Sequence, residues 1–249
     1  MAEAGGPCLD PNFGRIGRRH VRLRCDLPFM PVTSRSPAGC SLYLVTPPLA
    51  AADANAFAEQ FAEVLDAAAI ACALVRFAPV TQAADAKAIV APILRAAIAA
   101  DCALLIENDG RLAARLGADG VHVSGAGAEL AAAVESLKPE RIVGAGFLPT
   151  RDDAMTAGEM GADYVMFGEP RRGASASDVK ALAERVAWWA EIFETPCVAY
   201  AETVAAVAAL ADAGADFVAL GDAVWASPSP FEAARAAEAA LAGVGSDVP

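Results

Sequence analysis

The chain has 249 residues, 56% of them hydrophobic, with 31 acidic against 19 basic side chains and a formal net charge of −12. That apolar share excludes a chain disordered throughout, and the acidic balance lacks the basic footprint of a nucleic-acid binder. The mean hydropathy of +0.39 reflects alanine; apolar stretches such as Ala67 to Val75 fall short of the roughly 18 residues of a membrane span.

Residues 1–36 carry six arginines against three acids, with Gly, Pro and no periodicity. They read as a disordered basic extension, leaving 37–249 as one domain. From Ser41 onward, short β-branched or apolar runs alternate with helical stretches. The expected strands are Ser41–Thr46, Ala71–Ala78, Cys102–Glu107, Gly120–Val123, Arg141–Ala145, Tyr164–Phe167, Pro196–Tyr200 and Phe217–Leu220. The expected helices are 53–68, 83–100, 110–116, 127–137, 151–160, 177–193, 202–213 and 230–242. Gly-Ala-Asp recurs at 117–119, 161–163 and 214–216, each time after an apolar helix and before a strand. A glycine there ends the helix because it tolerates positive φ, so the repeat reads as a recurrent, structural αβ loop. Alternating strands and helices imply parallel pairing with right-handed crossovers. Eight units in about 200 residues favour a closed (β/α)₈ TIM barrel over a doubly wound open sheet.

The chain contains three lysines, Lys87, Lys138 and Lys180, and two histidines, His20 and His122. Two histidines are too few for a His-rich metal site. Six cysteines stand at 8, 25, 40, 72, 102 and 197 without a C-x-x-C pair. They read as free, mostly buried thiols of a reducing cytoplasm. No secretory signal pattern is expected, so the expected location is cytoplasmic. The tandem Trp188-Trp189 lies on a helix far from the strand ends, where one ring at most can face the core.

In a barrel the chemistry sits at the C-terminal strand ends, and here those ends form an ordered series. Ser41-Leu42-Tyr43-Leu44-Val45-Thr46 resembles the first strand of thiamine-phosphate synthases. Asn108-Asp109, followed by Gly117-Ala118-Asp119-Gly120-Val121-His122, resembles the third and fourth. Gly161 to Gly168 resembles the sixth, and Gly214 to Leu220 the eighth. The resemblance spans about 200 residues from Leu42 and includes the related thiazole tautomerase branch. It implies a transferase of thiamine biosynthesis that joins a pyrimidine pyrophosphate to a thiazole phosphate. Mg²⁺ and basic side chains would assist departure of pyrophosphate.

Carried over by position, Arg76, Asn108 and His122 are the candidate catalytic residues, and Asp109 is a weak metal ligand. Arg171 and Arg172 stand where the family places a pyrophosphate-binding lysine, although Glu169 is new there. Other positions depart from the pattern. Leu74 and Ala78 replace a glutamine and a lysine, and Gly110 replaces an arginine. Ser124-Gly125-Ala126-Gly127 lacks the second Mg²⁺ carboxylate. Gly144-Ala145-Gly146-Phe147 lacks a Ser and a His. After the seventh and eighth strands, Glu202 and Asp222 appear where the family has a Gly-Gly pair and a serine; they are candidate substrate-binding residues. Asp222 also reads as a helix cap, Glu202 as a first-turn acid, Asn108-Asp109 as a cap of the third helix, and Arg76 as a salt-bridge partner of Glu107.

Three functions follow as expectations. One is the family reaction, with Mg²⁺. The second is a diverged enzyme acting on a smaller or non-phosphorylated molecule without that cofactor, with Glu107, Asp109, His122, Glu202 and Asp222 as acid/base groups. The third is a non-catalytic binding or regulatory protein, a pseudoenzyme on the same barrel. In each the partner is a small-molecule ligand, with neither nucleic acid nor membrane; a homo-oligomer stays open.

Overall fold

The computed structural model describes residues 39–79, 83–169 and 178–244. Eight strands pair in parallel, in chain order, into a closed barrel. They are β1 (Ser41–Leu49), β2 (Ile70–Phe77), β3 (Ala103–Glu107), β4 (Gly120–Ser124), β5 (Ile142–Gly146), β6 (Tyr164–Phe167), β7 (Cys197–Ala201) and β8 (Phe217–Leu220). The helices between and after them are α1 (Ala54–Ala67), α2 (Ala83–Ala99), α3 (Gly110–Leu116), α4 (Ala128–Leu137), α5 (Arg151–Glu159), α6 (Val179–Ile192), α7 (Val207–Asp212), α8 (Asp222–Trp225) and α9 (Pro230–Ala242). The extension expected over 1–36 lies outside the described residues. No helix among the described residues is long and apolar enough to cross a membrane.

Three elements differ from expectation, one of them the short α8, which the eight expected helices did not include. β1 runs on to Leu49 through Pro47-Pro48, and its register with β2 breaks between Val45 and Pro48. Proline has no N–H for the ladder, so the strand continues without regular pairing. The helix expected over 202–213 is a 3₁₀ turn, Val204–Ala206, followed by the shorter α7. Thr203 is still extended (φ −140°, ψ 152°), so the chain leaves the barrel before it coils.

Side chains alternate along each strand. Leu42, Leu44, Ala73, Val75, Leu104, Ile106, Val121 and Val123 belong to the apolar layer beneath the helices. Their alternates, including Val45, Leu74 and Met166, face the barrel interior and line its mouth. Burial on both faces makes the strands near-continuous apolar runs, as parallel sheets require. Tyr43 of β1 meets Tyr164 of β6 across the interior, ring centroids 6.0 Å apart. In α1 the buried residues Ala54, Phe57, Ala58, Phe61, Val64 and Leu65 form a 3.6-period stripe.

The Gly-Ala-Asp repeat closes the opposite end of the barrel. Gly117, Gly161 and Gly214 have φ of 78°, 91° and 96°. The alanines are buried. Each aspartate carboxylate accepts a backbone N–H at or near the start of the preceding strand: Leu104 N to Asp119, Val143 N to Asp163 and Cys197 N to Asp216, all 2.8 Å. Each aspartate N–H returns a bond to the same residue's carbonyl. The motif is structural, as its composition implied.

Of the tandem tryptophans, Trp189 is fully buried and donates from Nε1 to Thr195 O at 2.7 Å. Trp188 is half-buried, with the Arg151 guanidinium 4.5 Å over its ring. The described cysteines, Cys40, Cys72, Cys102 and Cys197, are free thiols. Cys8 and Cys25 lie outside the described residues.

Candidate functional site at the barrel mouth

Register decides what meets at the C-terminal end. Glu107 of β3 pairs with His122 of β4, and His122 pairs with Gly144 of β5. One row later Ser124 pairs with Gly146. Val45, Leu74, Arg76, Glu107, His122, Phe147, Met166, Glu169 and Tyr200 line a cavity with about 310 Å³ of empty space.

A buried polar chain runs inward from this cavity. His122 has 1% side-chain exposure and Glu169 has 8%, with Nε2 and Oε1 3.5 Å apart. Nε2 has no hydrogen-bond partner among the described residues. His122 Nδ1 lies 2.8 Å from the Tyr164 hydroxyl, which lies 3.0 Å from the Tyr43 hydroxyl. The Cys72 thiol adjoins Tyr43. Burial pushes the Tyr43, Tyr164 and Cys72 groups well above their usual pKa ranges, with nearby phenols, thiols and carboxylates adding to it. All three stay protonated at neutral pH.

Two glycines of β5 make room for this chain. A Cβ on Gly144 would overlap the Tyr164 ring, and one on Gly146 would overlap both the Glu169 carboxylate and His122 Nε2. Glu169, from the end of β6, therefore occupies space that a β5 side chain would otherwise fill. Phe147 follows at φ 51°, a costly conformation for an aromatic residue. Its N–H donates to Glu169 Oε1 at 3.0 Å.

The remaining candidates divide between the cavity and its rim. Arg76 reaches the cavity, where its Nε lies 3.5 Å from Glu107 Oε1; the salt bridge read from the sequence is present. Asn108 is exposed at φ 55° and exchanges hydrogen bonds with Ser124: Ser124 N to Oδ1 at 2.7 Å, and Nδ2 to Ser124 Oγ at 3.1 Å. Asp109 is exposed and caps α3, its Oδ1 accepting Leu112 N at 2.8 Å.

Glu202 and Asp222 stand at the ends of β7 and β8 but do not line the cavity. Asp222 is exposed and is the first residue of α8; Gly221 holds the cap position. Tyr200, which does line the cavity, presses its hydroxyl against this turn: a Cβ on Gly221 would overlap it. Burial and the Asp222 carboxylate raise the Tyr200 phenol, and a backbone hydrogen bond from Asp222 partly offsets them. Trp225 anchors the turn by donating from Nε1 to Val45 O at 2.8 Å and packing 4.9 Å from Phe57.

Arg76 and His122 are thus brought together, Asn108 and Asp109 serve local structure, and Arg171 and Arg172 lie outside the described residues. Sequence reasoning placed Glu169 in a loop without assigning it a partner. It missed Tyr43, Tyr164, Phe147 and Tyr200 as parts of the site. The signal for them was Gly144-x-Gly146, two side-chain-free positions on one face of a strand. Among the described residues no three His, Cys, Asp or Glu side chains cluster to hold a metal ion. Mg²⁺ prefers near-octahedral oxygen ligation. Asp109 accepts the helix-capping bond and Ser124–Gly127 offers no second carboxylate, so this donor set does not fit that cation.

An eight-stranded parallel barrel with a closed end built for stability and an open end lined by titratable groups defines a TIM-barrel protein with its site at the mouth. The model for the family described as thiamine monophosphate synthase matches residues 42–224. The thiamine-phosphate synthase of Rhodospirillum centenum is 40% identical over 201 residues, 79% of this chain and 95% of that protein. That of Hyphomonas neptunium is 36% identical over 190 residues, 74% of this chain and 85% of the relative. The chain belongs to the thiamine monophosphate synthase family. Among solved structures, thiamine phosphate pyrophosphorylase from Pyrococcus furiosus superposes with a TM-score of 0.69 at 20% identity, covering 82% of this chain and 96% of that one.

Proposed function

We propose that this protein uses the family's barrel mouth for a small molecule without phosphate, and has left the joining of pyrimidine pyrophosphate to thiazole phosphate. The carrying observation is the charge at the cavity. Among the described residues Arg76 is the cationic side chain lining it, and Glu107 lies 3.5 Å away. Glu169 adds a second, nearly buried carboxylate. Among the described residues, the wall that a pyrophosphate meets here carries more negative than positive charge.

Tyr200 supports the same reading. Barrel phosphate sites use backbone N–H groups after strands seven and eight. Here the Tyr200 hydroxyl already takes a backbone hydrogen bond from Asp222. Glu202 and Asp222 add negative charge nearby, though Asp222 is exposed, so its repulsion of a unit charge at 4 Å falls toward the ~1 kcal/mol of a water-like medium. In this reading His122 and Arg76 hold the ligand, and Glu202 and Asp222 exclude anions. Asn108 supports the rim, and Mg²⁺ binds no better than about millimolar for want of a second carboxylate.

A second reading, the synthase reaction itself, is favoured by the 40% identity across 95% of a curated synthase. Arg76, Asn108 and His122 would then act on the substrates, Arg171 and Arg172 on the pyrophosphate, and Asp109 on Mg²⁺. Calorimetric titration with thiazole phosphate separates the two, together with thermal shifts for both phosphorylated substrates and their dephosphorylated forms. A ligand that binds only the native state raises Tm. Under the first reading wild type does not bind thiazole phosphate. Ala201→Gly, Glu202→Gly and Asp222→Ser together create measurable affinity without turnover. Tight wild-type binding with thiamine phosphate formation establishes the second.

A further inference from the structure

The Tyr43–Tyr164–His122 chain has one proton order that avoids setting two acceptors against each other at its Glu169 end. Tyr43, Tyr164 and Cys72 are held protonated by burial, so each has a single proton to donate. If His122 carried its proton on Nδ1 alone, the Nε2 lone pair would face the Glu169 carboxylate 3.5 Å away, two acceptors opposed in a low-dielectric interior. The reverse order avoids this. Tyr43 O–H donates to Tyr164, and Tyr164 O–H to His122 Nδ1. Nε2 then carries the proton and lies beside Glu169, against Gly146, in a side chain that lines the cavity. An imidazolium would also carry a proton on Nε2, so that nitrogen bears an N–H in either charge state.

We propose that His122 Nε2–H and the Glu169 carboxylate form a donor–acceptor pair that recognises a small uncharged ligand with an acceptor oxygen and an N–H donor on one carbon, the pattern of a lactam or primary carboxamide. Three observations converge on this site. Nε2 is almost wholly buried and lacks a hydrogen-bond partner among the described residues. Gly146 leaves the space in which the two side chains meet. Phe147 is held at φ 51° with its N–H on Glu169, which fixes the carboxylate. Tyr164 and Tyr43 are positioning residues: they act through His122 and touch no ligand. The proton placement stands on the hydrogen-bond geometry and on the burial that keeps both phenols protonated, whereas the ligand class rests on the phosphate-free reading above.

The chain has two histidines, His20 and His122, so His20→Ala leaves one imidazole for ¹⁵N NMR. The spectrum is expected to show a hydrogen-bearing Nε2, with Nδ1 unprotonated or, in the imidazolium, also protonated. Tyr164→Phe, which removes the phenol facing Nδ1, shifts the Nδ1 resonance and leaves hydrogen on Nε2. A lone-pair Nε2 in the folded His20→Ala protein overturns the proposal. Titration with δ-valerolactam shifts the Nε2 resonance to saturation, and N-methylvalerolactam, which has no donor, does not. Glu169→Ala weakens lactam binding roughly tenfold or more, the loss of one hydrogen bond to a charged group. Equal response to both lactams, or none to either, overturns the ligand class. Inorganic pyrophosphate binding at micromolar level would sink the phosphate-free reading while leaving the Nε2 assignment intact.

Discussion

At Gly144 and Gly146 the smallest side chain is required because neighbours already occupy the volume of a methyl group. Overpacking typically costs about 1–3 kcal/mol. Gly144→Ala and Gly146→Ala are each expected to destabilise by that order in urea unfolding, while Gly39→Ala, with nothing within 4 Å of its Cβ, should be silent. Gly146→Ala with wild-type stability would mean that Glu169 moves aside at no cost, and that its contact with His122 is dispensable. Asp109 answers a different question at the same scale. As the cap of α3 it should contribute about 1 kcal/mol, with Asp109→Asn close to neutral and Asp109→Ala not. A metal-binding role predicts a different result, with Asn and Ala equally silent until Mg²⁺ is added.

Among the elements, the Gly-Ala-Asp loops carry a role that composition shows only in part. The recurrence and the helix-ending glycines were legible in the chain. That each carboxylate reaches a backbone N–H of the strand before it was not, because the two partners are 15–20 residues apart. Replacing Asp216 by Ala should leave the Cys197 N–H without that partner at a cost of about 1–3 kcal/mol. The local check is hydrogen exchange, with protection falling at Cys197 and not at β3. Uniform loss of protection would show a global rather than an element-level effect. Asp163 also lies 2.7 Å from Lys138 Nζ, but both are about 30% exposed, so that pair adds little.

Across the whole molecule, stability should depend on alkaline pH. Burial first, then Asp216, raises the Cys40 thiol from 9.0 to about 12. Burial first, then Asp119, raises Cys102 from 9.0 to about 12. Both pKa values are higher folded than unfolded, so these groups' contribution is complete below pH 9 and is lost as pH rises from about 9 to about 12. Thermal unfolding scans between pH 7 and 11 should show no thiol-linked loss up to pH 9 and a falling Tm above it. Alkylation at pH 8 followed by peptide mass spectrometry should leave Cys40, Cys72 and Cys102 unmodified in the native protein and modified in urea. Rapid native labelling of Cys102 would contradict its burial.

The sequence by itself determined the barrel and its family. Both follow from local information: apolar runs buried on both faces, helix-ending glycines, and strand-end motifs kept in order. It also determined that Arg76 and His122 stand at strand ends, since a strand's direction fixes which end faces the mouth. Apart from the Arg76–Glu107 pair, only the tertiary structure decided which groups touch. Glu169 reaches His122 because β5 lacks side chains at 144 and 146, a consequence of register between β4, β5 and β6. Tyr43 meets Tyr164 across the interior from strands 121 residues apart, and Tyr200 reaches the Asp222 backbone because β7 and β8 are neighbours. Such contacts depend on the closure of the barrel, and no window of local sequence contains both partners.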